Sequence, residues 1–481
     1  MKNMKKTLSL ILCLVMLLSF GVTAFAGDVT KEQWQTKWAD YDSDIAPAVT
    51  MFPGSDESER YIAWYGVSAE GYVELTSGEE IKKIPAESKA SADGGYRLWA
   101  VLTDLAAGEY TYTCHSGEFV SDSYSFRVEN AESFTALYVS DVHMAIESEN
   151  ANALMNRSYV YNQTLESAMR NADDSVGIII SGGDLASSGL TDEYIALSAP
   201  EYMKTIPFAA AIGNHDRKSV GYKYYTALPN QAKMTFKSYI GTDYWVRYGD
   251  VLFLMFDSCN TSMRGHYRFA EKATKANKDA KWIVATMHHD MFGGREDWLY
   301  TENALLRFLW TPLFDEYGFD VCLYGHSHYY SVSNVIYNNK SVTSLAGVSD
   351  ITDPAGTVYL SSGSINNFAP LLHEGATPPI GENAAFTYLE GDDSIYTLLD
   401  FEGDTLTLKS YVAQTDKEIY SLEITKNGNE GGHTYRNTNF LLKAFSCFVS
   451  RIVNVINNYD MYKRYKTQGY DVSLFEGLIG S

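Results

Sequence analysis

The sequence predicts an α/β protein whose central part is preceded by an all-β domain. Six apolar runs lie between residues 136 and 324, and each ends in a cluster of polar residues. Such runs, bounded by glycine and polar side chains, are typical of strands buried on both faces of a sheet. Helical stretches at about 152–172 and 301–316 lie between the runs, which indicates alternating β and α elements. Short alternating segments at 60–65, 96–101 and 110–114 come earlier and indicate an antiparallel β-sandwich.

Residues 1–26 have the features of a signal peptide. Lys2, Lys5 and Lys6 precede an apolar stretch over residues 8–20, and residues 24–26 form a small-residue cleavage site. The apolar stretch is shorter than the ~20 residues that a membrane-spanning helix needs, and we expect no transmembrane segment later in the chain. An uncleaved membrane anchor is the alternative interpretation. We therefore expect a secreted, extracellular protein.

The charge of the chain limits its partners. The formal net charge is −22, and loss of residues 1–26 would change it to −25, because three lysines and no acidic residues are removed. A surface this acidic repels long polyanions, so we expect no binding to nucleic acid as a long polymer. A small phosphorylated substrate is compatible with this charge if metal ions neutralise its phosphate. The four cysteines after residue 26 are too few for a disulfide framework in a chain of this length.

The polar clusters that follow the apolar runs contain metal-ligand side chains. The eight candidates are Asp141, His143, Asp184, Asn214, His215, His288, His326 and His328. Open α/β sheets bind ligands at the carboxyl ends of their strands, so these side chains converge on one edge if the strands run in parallel. Carboxylate, amide and imidazole ligands without cysteine suit Mn, Fe or Zn. There are too many candidates for one ion, which predicts a pair of divalent or trivalent ions about 3.5–4 Å apart.

The order of these motifs resembles that of the calcineurin-like metallophosphoesterase superfamily. Asp-x-His, Gly-Asp, Gly-Asn-His-Asp, Met-His and Gly-His-x-His follow one another, and the resemblance covers residues 132–425. It implies a four-layer α/β/β/α sandwich. It also implies that Asp141, His143 and His328 hold one metal and that Asn214, His288 and His326 hold the other, with Asp184 as a bridge between the two. Of the remaining residues, His215 would stabilise or protonate the leaving oxygen, and Asp216 would orient His215.

The part before residue 132 has a second resemblance. Residues 105–112, together with residues 52–55 and Trp64, are similar to the fibronectin III/Ig-like sandwich that precedes the catalytic domain in purple acid phosphatases. A different kind of β-sandwich is the alternative. Those enzymes carry an iron-binding tyrosine three residues after the bridging aspartate, a position that is Ser187 here. His143 stands where they usually have a small residue, so an obligatory ferric ion is not implied.

Two neighbours of the site are assigned by position. His288 is chosen as the ligand over His289 by its register with the preceding apolar run, and His289 is a candidate for a substrate contact. Arg217 follows the Gly-Asn-His-Asp cluster and is expected on the solvated surface, with a phosphate contact as the alternative.

The expected domains are a signal peptide (1–26), an N-terminal β-sandwich (27–131), a catalytic domain (132–432) and a C-terminal helical tail (433–481). The tail is amphipathic over residues 441–456 and is expected to pack on the catalytic domain, with attachment to a partner or membrane surface as the alternative.

The expected function is that of a secreted dinuclear phosphoesterase, in which a metal-bridging hydroxide attacks small phosphate esters. A phosphomonoesterase is favoured, and a phosphodiesterase or nucleotide-cleaving enzyme is the alternative within the class. A surface binding protein with a degenerate metal domain is the alternative from a different class.

Overall fold

A computed structural model of the chain describes most of its residues. The described ranges are 28–41, 48–91, 94–129, 131–147, 152–232, 242–292, 299–366, 383–388, 393–427 and 440–470. The expected signal peptide and the expected domain boundary at residue 432 lie outside them.

The first part of the structure contains one helix and two antiparallel sheets. Its elements are α1 (Lys31–Tyr41), β1 (Thr50–Pro53), β2 (Arg60–Gly66), β3 (Gly71–Ser77), β4 (Glu80–Pro85), β5 (Glu87–Ala90), β6 (Tyr96–Leu102), β7 (Gly108–Ser116), β8 (Phe119–Val120) and β9 (Tyr124–Val128). The strand orders are β1-β2-β6-β5 and β4-β3-β7-β8, and β9 also pairs with β7. Trp64 of β2 and Val73 of β3 belong to one buried core that joins the two sheets. The structure thus has a β-sandwich in this region, and its kinship to fibronectin III domains stays a prediction.

The central part alternates strands and helices as far as residue 324. Its elements are β10 (Ser133–Val139), α2 (Ala153–Asn171), β11 (Val176–Ser181), α3 (Thr191–Leu197), α4 (Tyr202–Thr205), β12 (Phe208–Ala210), a 3₁₀ helix (Asp216–Lys218), α5 (Gly221–Tyr225), β13 (Tyr244–Tyr248), β14 (Val251–Met255), α6 (Met263–Ala276), β15 (Trp282–Thr286), α7 (Leu299–Tyr317) and β16 (Val321–Tyr324).

The remaining elements are mostly strands and end in one long helix. They are β17 (Tyr330–Ser333), β18 (Val335–Tyr337), β19 (Lys340–Thr343), β20 (Asp350–Thr352), β21 (Val358–Ser361), β22 (Ala384–Tyr388), β23 (Ile395–Glu402), β24 (Thr405–Val412), β25 (Lys417–Thr425) and α8 (Phe440–Thr467).

Two seven-stranded sheets organise the central part. Their strand orders are β12-β11-β10-β23-β24-β25-β20 and β13-β14-β15-β16-β21-β17-β22. The six apolar runs of the sequence all contain strands, three in each sheet. Strands β10, β11 and β12 are parallel neighbours in one sheet, and β14, β15 and β16 are parallel neighbours in the other. Within each sheet, the polar residues that follow these strands therefore lie at the same edge.

Three apolar cores stack the sheets and helices into layers. Ile180 of the first sheet and Phe253 of the second belong to the core between the sheets. Neighbouring side chains on a strand point to opposite faces, so Ile179 packs outward with Leu165 of α2. Trp310 of α7 packs on the outer face of the second sheet. The resulting order is helix, sheet, sheet, helix, and this mixed α/β architecture is consistent with the four-layer sandwich that was expected.

The β-sandwich is attached to the central part by buried hydrogen bonds. The guanidinium of Arg97 donates to the carbonyl oxygens of Ala48 and Tyr225, at 3.1 and 2.8 Å. The hydroxyl of Tyr112 donates to the Lys204 carbonyl at 2.7 Å. Because hydrogen bonds from a charged donor contribute roughly 1.5–3 kcal/mol each, Arg97 helps to fix the sandwich in position.

Helix α8 lies within the predicted C-terminal tail and packs beside α6 and α7. The Lys443 ammonium donates to Glu316 of α7 at 2.5 Å, and the hydroxyl of Tyr465 donates to the Arg217 carbonyl at 2.7 Å. Among the described residues, no helix combines the length and the apolar character that are needed to cross a membrane.

Candidate metal centre

The predicted ligands lie in the loops that directly follow the central strands. Asp141 comes two residues after β10, Asp184 three after β11, Asn214 four after β12, His288 two after β15 and His326 two after β16. The first two loops are tied together, because the amide of Asp141 donates to the Gly183 carbonyl and that of His143 to the Asp184 carbonyl. The parallel strands thus bring residues far apart in sequence to one edge of the two sheets.

Asp141, His143 and His328 form the first ligand group. The Nε2 atoms of His143 and His328 are 3.0 Å apart, and His328 Nε2 is 3.4 Å from Asp141 Oδ1. Ligand bonds of about 2.0–2.2 Å at ordinary coordination angles separate neighbouring ligand atoms by roughly 3.0–3.5 Å. The three side chains are therefore spaced as the predicted first metal set requires.

His288 lies at the centre of the second ligand group. Its Nε2 is 2.9 Å from Asn214 Oδ1, 3.2 Å from His326 Nδ1 and 3.3 Å from Asp184 Oδ2. Its other ring nitrogen, Nδ1, donates to the Gly182 carbonyl at 3.0 Å, which orients the ring with Nε2 toward the other ligands.

Asp184 lies between the two groups. Its Oδ2 is 3.7 Å from His143 Nε2 as well as 3.3 Å from His288 Nε2. This is the position that a carboxylate shared by two ions would occupy.

Five of the seven predicted ligands have a left-handed backbone. The φ angles are 51° at Asp141, 50° at His143, 50° at Asp184, 71° at His326 and 61° at His328. This region is uncommon for residues other than glycine, and each occurrence costs of order 1–3 kcal/mol unless the surroundings fix it. The unusual backbone therefore coincides with the ligands, which is where strained residues concentrate in functional sites.

Two glycines of the motifs leave room for the carboxylates. A Cβ atom at Gly325 would overlap the carboxylate of Asp141, and one at Gly213 would overlap that of Asp184. This contact explains why glycine precedes His326 and Asn214 in the sequence.

The protonation of the site suits cation binding. Burial alone would raise the pKa of Asp141, but its hydrogen bond to His328 and the attraction of that ring hold the pKa at about 2. Burial likewise opposes ionisation of Asp184, and the attraction of His288 outweighs it and lowers the pKa. Burial lowers the pKa of His143 to about 3, which leaves a neutral imidazole. Ionised carboxylates and a neutral imidazole are the protonation states that metal ions bind.

His288 is the exception to this pattern. Burial would lower its pKa, but the Asp184 carboxylate raises the pKa to about 10. A proton on His288 therefore has to leave when a metal ion binds there.

His215 lies beside the ligands, and its ring contacts other residues than Asp216. Its backbone amide donates to Asp184 Oδ1 at 2.7 Å, and its ring packs edge-on against His143 with the centroids 4.7 Å apart. Ring atom Nδ1 lies 2.8 Å from the Ser187 carbonyl oxygen and 2.6 Å from Lys218 Nζ. A nitrogen of this ring is also within 4.8 Å of the Asp184 and His143 ligand atoms, so His215 is near enough to be a ligand itself.

The described contacts of the Asp216 carboxylate are with loop amides and a tyrosine. Its carboxylate accepts hydrogen bonds from the amides of Gly213, Leu185 and Ala186, at 2.9, 3.3 and 3.1 Å. It also accepts one from the Tyr194 hydroxyl at 2.8 Å. The resemblance implied that Asp216 orients His215, and the structure assigns the direct contacts with that ring to Ser187 and Lys218.

Arg217 is buried and does not lie on the solvated surface, which corrects the expectation for this residue. Its guanidinium donates to the Cys259 carbonyl at 2.6 Å and contacts the sulfur of Met461 in α8. His289 is hydrogen bonded to Ser258 Oγ at 2.8 Å, which leaves His288 as the histidine that contacts Asp184.

A cavity of about 520 Å³ adjoins the metal centre, and the sequence alone did not predict it. It is lined by Asn214, Arg217, Lys218, Ser258, Cys259, Thr261, His289, Leu305, Leu306, Leu309, Val453, Asn457, Asp460, Met461 and Arg464. One wall belongs to the metal-site loops and the other to α7 and α8. No sequence signal pairs α8 with a loop more than 200 residues earlier, so Lys218 and Arg464 were missed as site residues.

Two ligand groups that meet at one carboxylate, at the strand ends of a two-sheet α/β structure, define a candidate dinuclear metal centre. Residues 134–330 match the family described as calcineurin-like phosphoesterase. This match, over 197 of the 481 residues, supports a calcineurin-like metallophosphoesterase domain and a metal-dependent phosphoester hydrolase.

Known proteins with a similar sequence or fold agree with this assignment. Purple acid phosphatase 1 of Ipomoea batatas is 28% identical over 115 residues, which span 23% of this chain and 23% of that protein. A purple acid phosphatase from yellow lupin (Lupinus luteus) seeds has a TM-score of 0.62 at 18% identity and covers 80% of this chain and 75% of its own. The structure of PhoD has a TM-score of 0.51 at 11% identity, over 86% of this chain and 99% of its own. At these identities the two structural likenesses show the fold.

The shared position of Asp184 predicts different metal losses for two substitutions. Asp184→Asn should weaken both sites, because one carboxylate contacts both groups, whereas Asn214→Ala should empty mainly the site around His288. Metal content per chain, measured by elemental analysis after equilibration with Mn or Zn, distinguishes the two results. Asp404→Asn, an exposed carboxylate in the turn between β23 and β24, is the matched control. Equal metal content in Asp184→Asn and the parent would contradict the bridging assignment.

Ser187 predicts a protein without the purple colour. Its hydroxyl lies 3.4 Å from His143 Nδ1, at the position where purple enzymes carry the iron-binding tyrosine. The iron-loaded protein should therefore lack the intense visible band of a tyrosine-to-iron charge transfer, which an absorption spectrum measures. A purple protein as isolated would mean that another tyrosine has become a ligand.

Proposed function

We propose that the protein is a secreted, dinuclear metal-dependent phosphoesterase that hydrolyses small phosphate monoesters. The observation that carries this proposal is the convergence of both ligand groups on Asp184, with His215 directly beside them. All seven predicted ligands lie at this edge of the sheets. Their presence disfavours a binding protein with a degenerate metal domain.

The donor set fits Mn, Fe or Zn, because it consists of carboxylate, amide and imidazole atoms without thiolate. Such ions, when bound, lower the pKa of water and neutralise charge on phosphoryl oxygens. In this chain Asp141, His143 and His328 would hold one ion, and Asn214, His288 and His326 the other, with Asp184 shared.

The proposal assigns His215 to the leaving group. Its amide is tied to Asp184, and its Nδ1 accepts from the Lys218 ammonium, which also donates to the Ser187 carbonyl. A positioned imidazole next to the reacting phosphate donates a hydrogen bond or a proton to the departing oxygen. Lys218 is a positioning residue for that ring and adds positive charge near the substrate.

The cavity beside the centre has the size and charge for a phosphorylated substrate. Arg217, Lys218 and Arg464 line it together with a single acidic residue, Asp460. This local excess of positive charge stands out in a chain with a net charge of −22. A monoester carries more negative charge at neutral pH than a diester, so the excess favours a monoester.

A phosphodiesterase or nucleotide-cleaving enzyme is the second candidate, and the cavity size is the observation that favours it. Its volume of about 520 Å³ falls within the range of sites for drug-sized ligands, so a nucleoside leaving group has room. The apolar wall of Leu305, Leu306 and Leu309 could pack against such a group.

A metal-removal and substrate experiment tests the function. A strong chelator should abolish hydrolysis, because the proposed reaction depends on bound ions to activate water, and addition of Mn, Fe or Zn should restore it. Aryl and alkyl monoesters should be hydrolysed with a higher kcat/KM than the matching diesters. Full activity in metal-free protein contradicts the proposal, and a preference for diesters selects the second candidate.

The role of His215 predicts a dependence on the leaving group. His215→Ala should lower kcat for alkyl phosphates by roughly 10²–10⁴, the usual contribution of a positioned acid, and should lower it less for aryl phosphates, whose leaving groups need little protonation. Both ions should stay bound. His115→Ala, in the distant β7 strand, is the matched control. Loss of a metal ion, or an equal loss for both substrate types, would rule out the acid role and make His215 a ligand or a structural residue.

A further inference from the structure

Helix α8 carries a continuous apolar stripe that is exposed to solvent. Of the 13 large hydrophobic side chains that are exposed in the described ranges, seven lie on this helix. They are Leu441, Phe445, Phe448, Ile452, Val455, Ile456 and Tyr459. Their spacing of mostly three or four residues puts them on one face of the helix, over a length of about 27 Å at 1.5 Å per residue.

The opposite face of α8 packs against the protein; it is apolar at Met461 and Tyr465 but polar over residues 446–454, which lie behind the stripe. Ser446, Ser450 and Asn454 are at most 2% exposed, and the amide of Met263 at the start of α6 donates to Ser450 Oγ at 3.4 Å. A surface helix of a globular protein normally shows the reverse arrangement, with the apolar face on the core and the polar face in water. The Phe445 ring contacts Phe308 of α7, with the centroids 5.7 Å apart, but all seven side chains of the stripe are exposed, so packing within the described ranges does not cover it.

The charge of α8 is opposite to that of the rest of the chain. Residues 440–467 contain five basic residues and one acidic residue, Asp460, in a chain with a net charge of −22. Arg451 and Lys463 are exposed, and the Lys463 ammonium lies 4.2 Å from the centroid of the Tyr459 ring in the stripe. Lys466 lies over the Tyr462 ring, one helical turn farther on. The stripe is therefore bordered by cations.

The charge distinguishes between two possible occupants of the stripe. A second copy of α8 would bring like charges together, with Asp460 as the sole acidic residue of the helix to offset them. An anionic lipid surface complements both features, because apolar side chains enter the headgroup region while lysine and arginine reach lipid phosphates. Repulsion by the acidic remainder of the chain is limited, since charges beyond about 8 Å are largely screened at physiological salt.

We propose that α8 lies flat on an anionic membrane surface and holds the protein there. Phe445, Phe448, Ile452 and Val455 insert between the headgroups, and Arg451, Lys463 and Lys466 contact the lipid phosphates. The helix does not cross the bilayer. The substrate cavity, which α8 lines with Asn457 and Arg464, then stands next to the membrane surface.

Vesicle sedimentation tests the proposal with residues 27–481, since the apolar segment over residues 8–20 would bind lipid by itself. The protein should bind vesicles of phosphatidylcholine with phosphatidylglycerol, bind pure phosphatidylcholine more weakly, and lose affinity as salt is raised. Phe448→Asp should weaken binding about ten-fold or more, because an inserted aromatic side chain is lost. Val342→Asp changes an exposed valine of β19 and should leave binding unchanged. Arg451→Gln should reduce binding to the anionic vesicles alone.

The folded state of each variant is checked by thermal melting and by hydrolytic activity, and Phe448→Ser replaces Phe448→Asp if the latter does not fold. Light scattering in the absence of lipid should give a monomer. Absence of binding to anionic vesicles would overturn the proposal, as would unchanged binding in Phe448→Asp. A lipid-free dimer that Phe448→Asp dissociates would identify a second copy as the occupant of the stripe.

Discussion

The buried carboxylate of Asp184 is the constraint around which the site is arranged. An ionised carboxylate away from water costs several kcal/mol unless positive charge and hydrogen bonds compensate for it. Here the compensation comes from His288 and from the backbone amide of His215, with His143 close by. Asp184 and these three groups follow four different strands, so the parallel register of both sheets has to be correct before Asp184 is satisfied.

The position of the Asp184 carboxylate also explains a glycine and the unusual backbone angles near the site. Gly213 has no side chain because Asp184 occupies the space where its Cβ would lie. The left-handed backbone at Asp184 and at its neighbours in both groups turns the ligands toward one point. Without a cation, the left-handed backbone is strained and the carboxylates of Asp184 and Asp141 repel each other. Bound cations would relieve that repulsion, so we expect the site to contribute to stability mainly in the metal-bound protein.

The candidate ligands could be chosen from the sequence because each is a local feature of a strand end. Asp141, His288 and His326 each follow a strand by two residues, and the pattern of apolar run and polar cluster is visible without the fold. The contacts of Arg217 and Asp216 were not predictable in this way. Arg217 contacts Met461, and Asp216 accepts a hydrogen bond from Tyr194, and neither partner belongs to a sequence motif.

The alternating pattern of the N-terminal part predicted an antiparallel β-sandwich. It does not encode the strand order that would distinguish one kind of β-sandwich from another.

Helix α8 contributes to two surfaces of the protein, the wall of the cavity and the exposed apolar stripe. Its packed side is fixed by Tyr465, which bonds the Arg217 carbonyl, and by Lys443, which pairs with Glu316 of α7. With these contacts in place, Asn457 and Arg464 face the cavity, and the apolar positions are left on the far side of the helix. An α-helix is only about 10–12 Å across, so anything bound to the stripe lies within that distance of the cavity wall. Binding at the stripe would therefore reduce the freedom of α8 and would order the wall that contacts the leaving group.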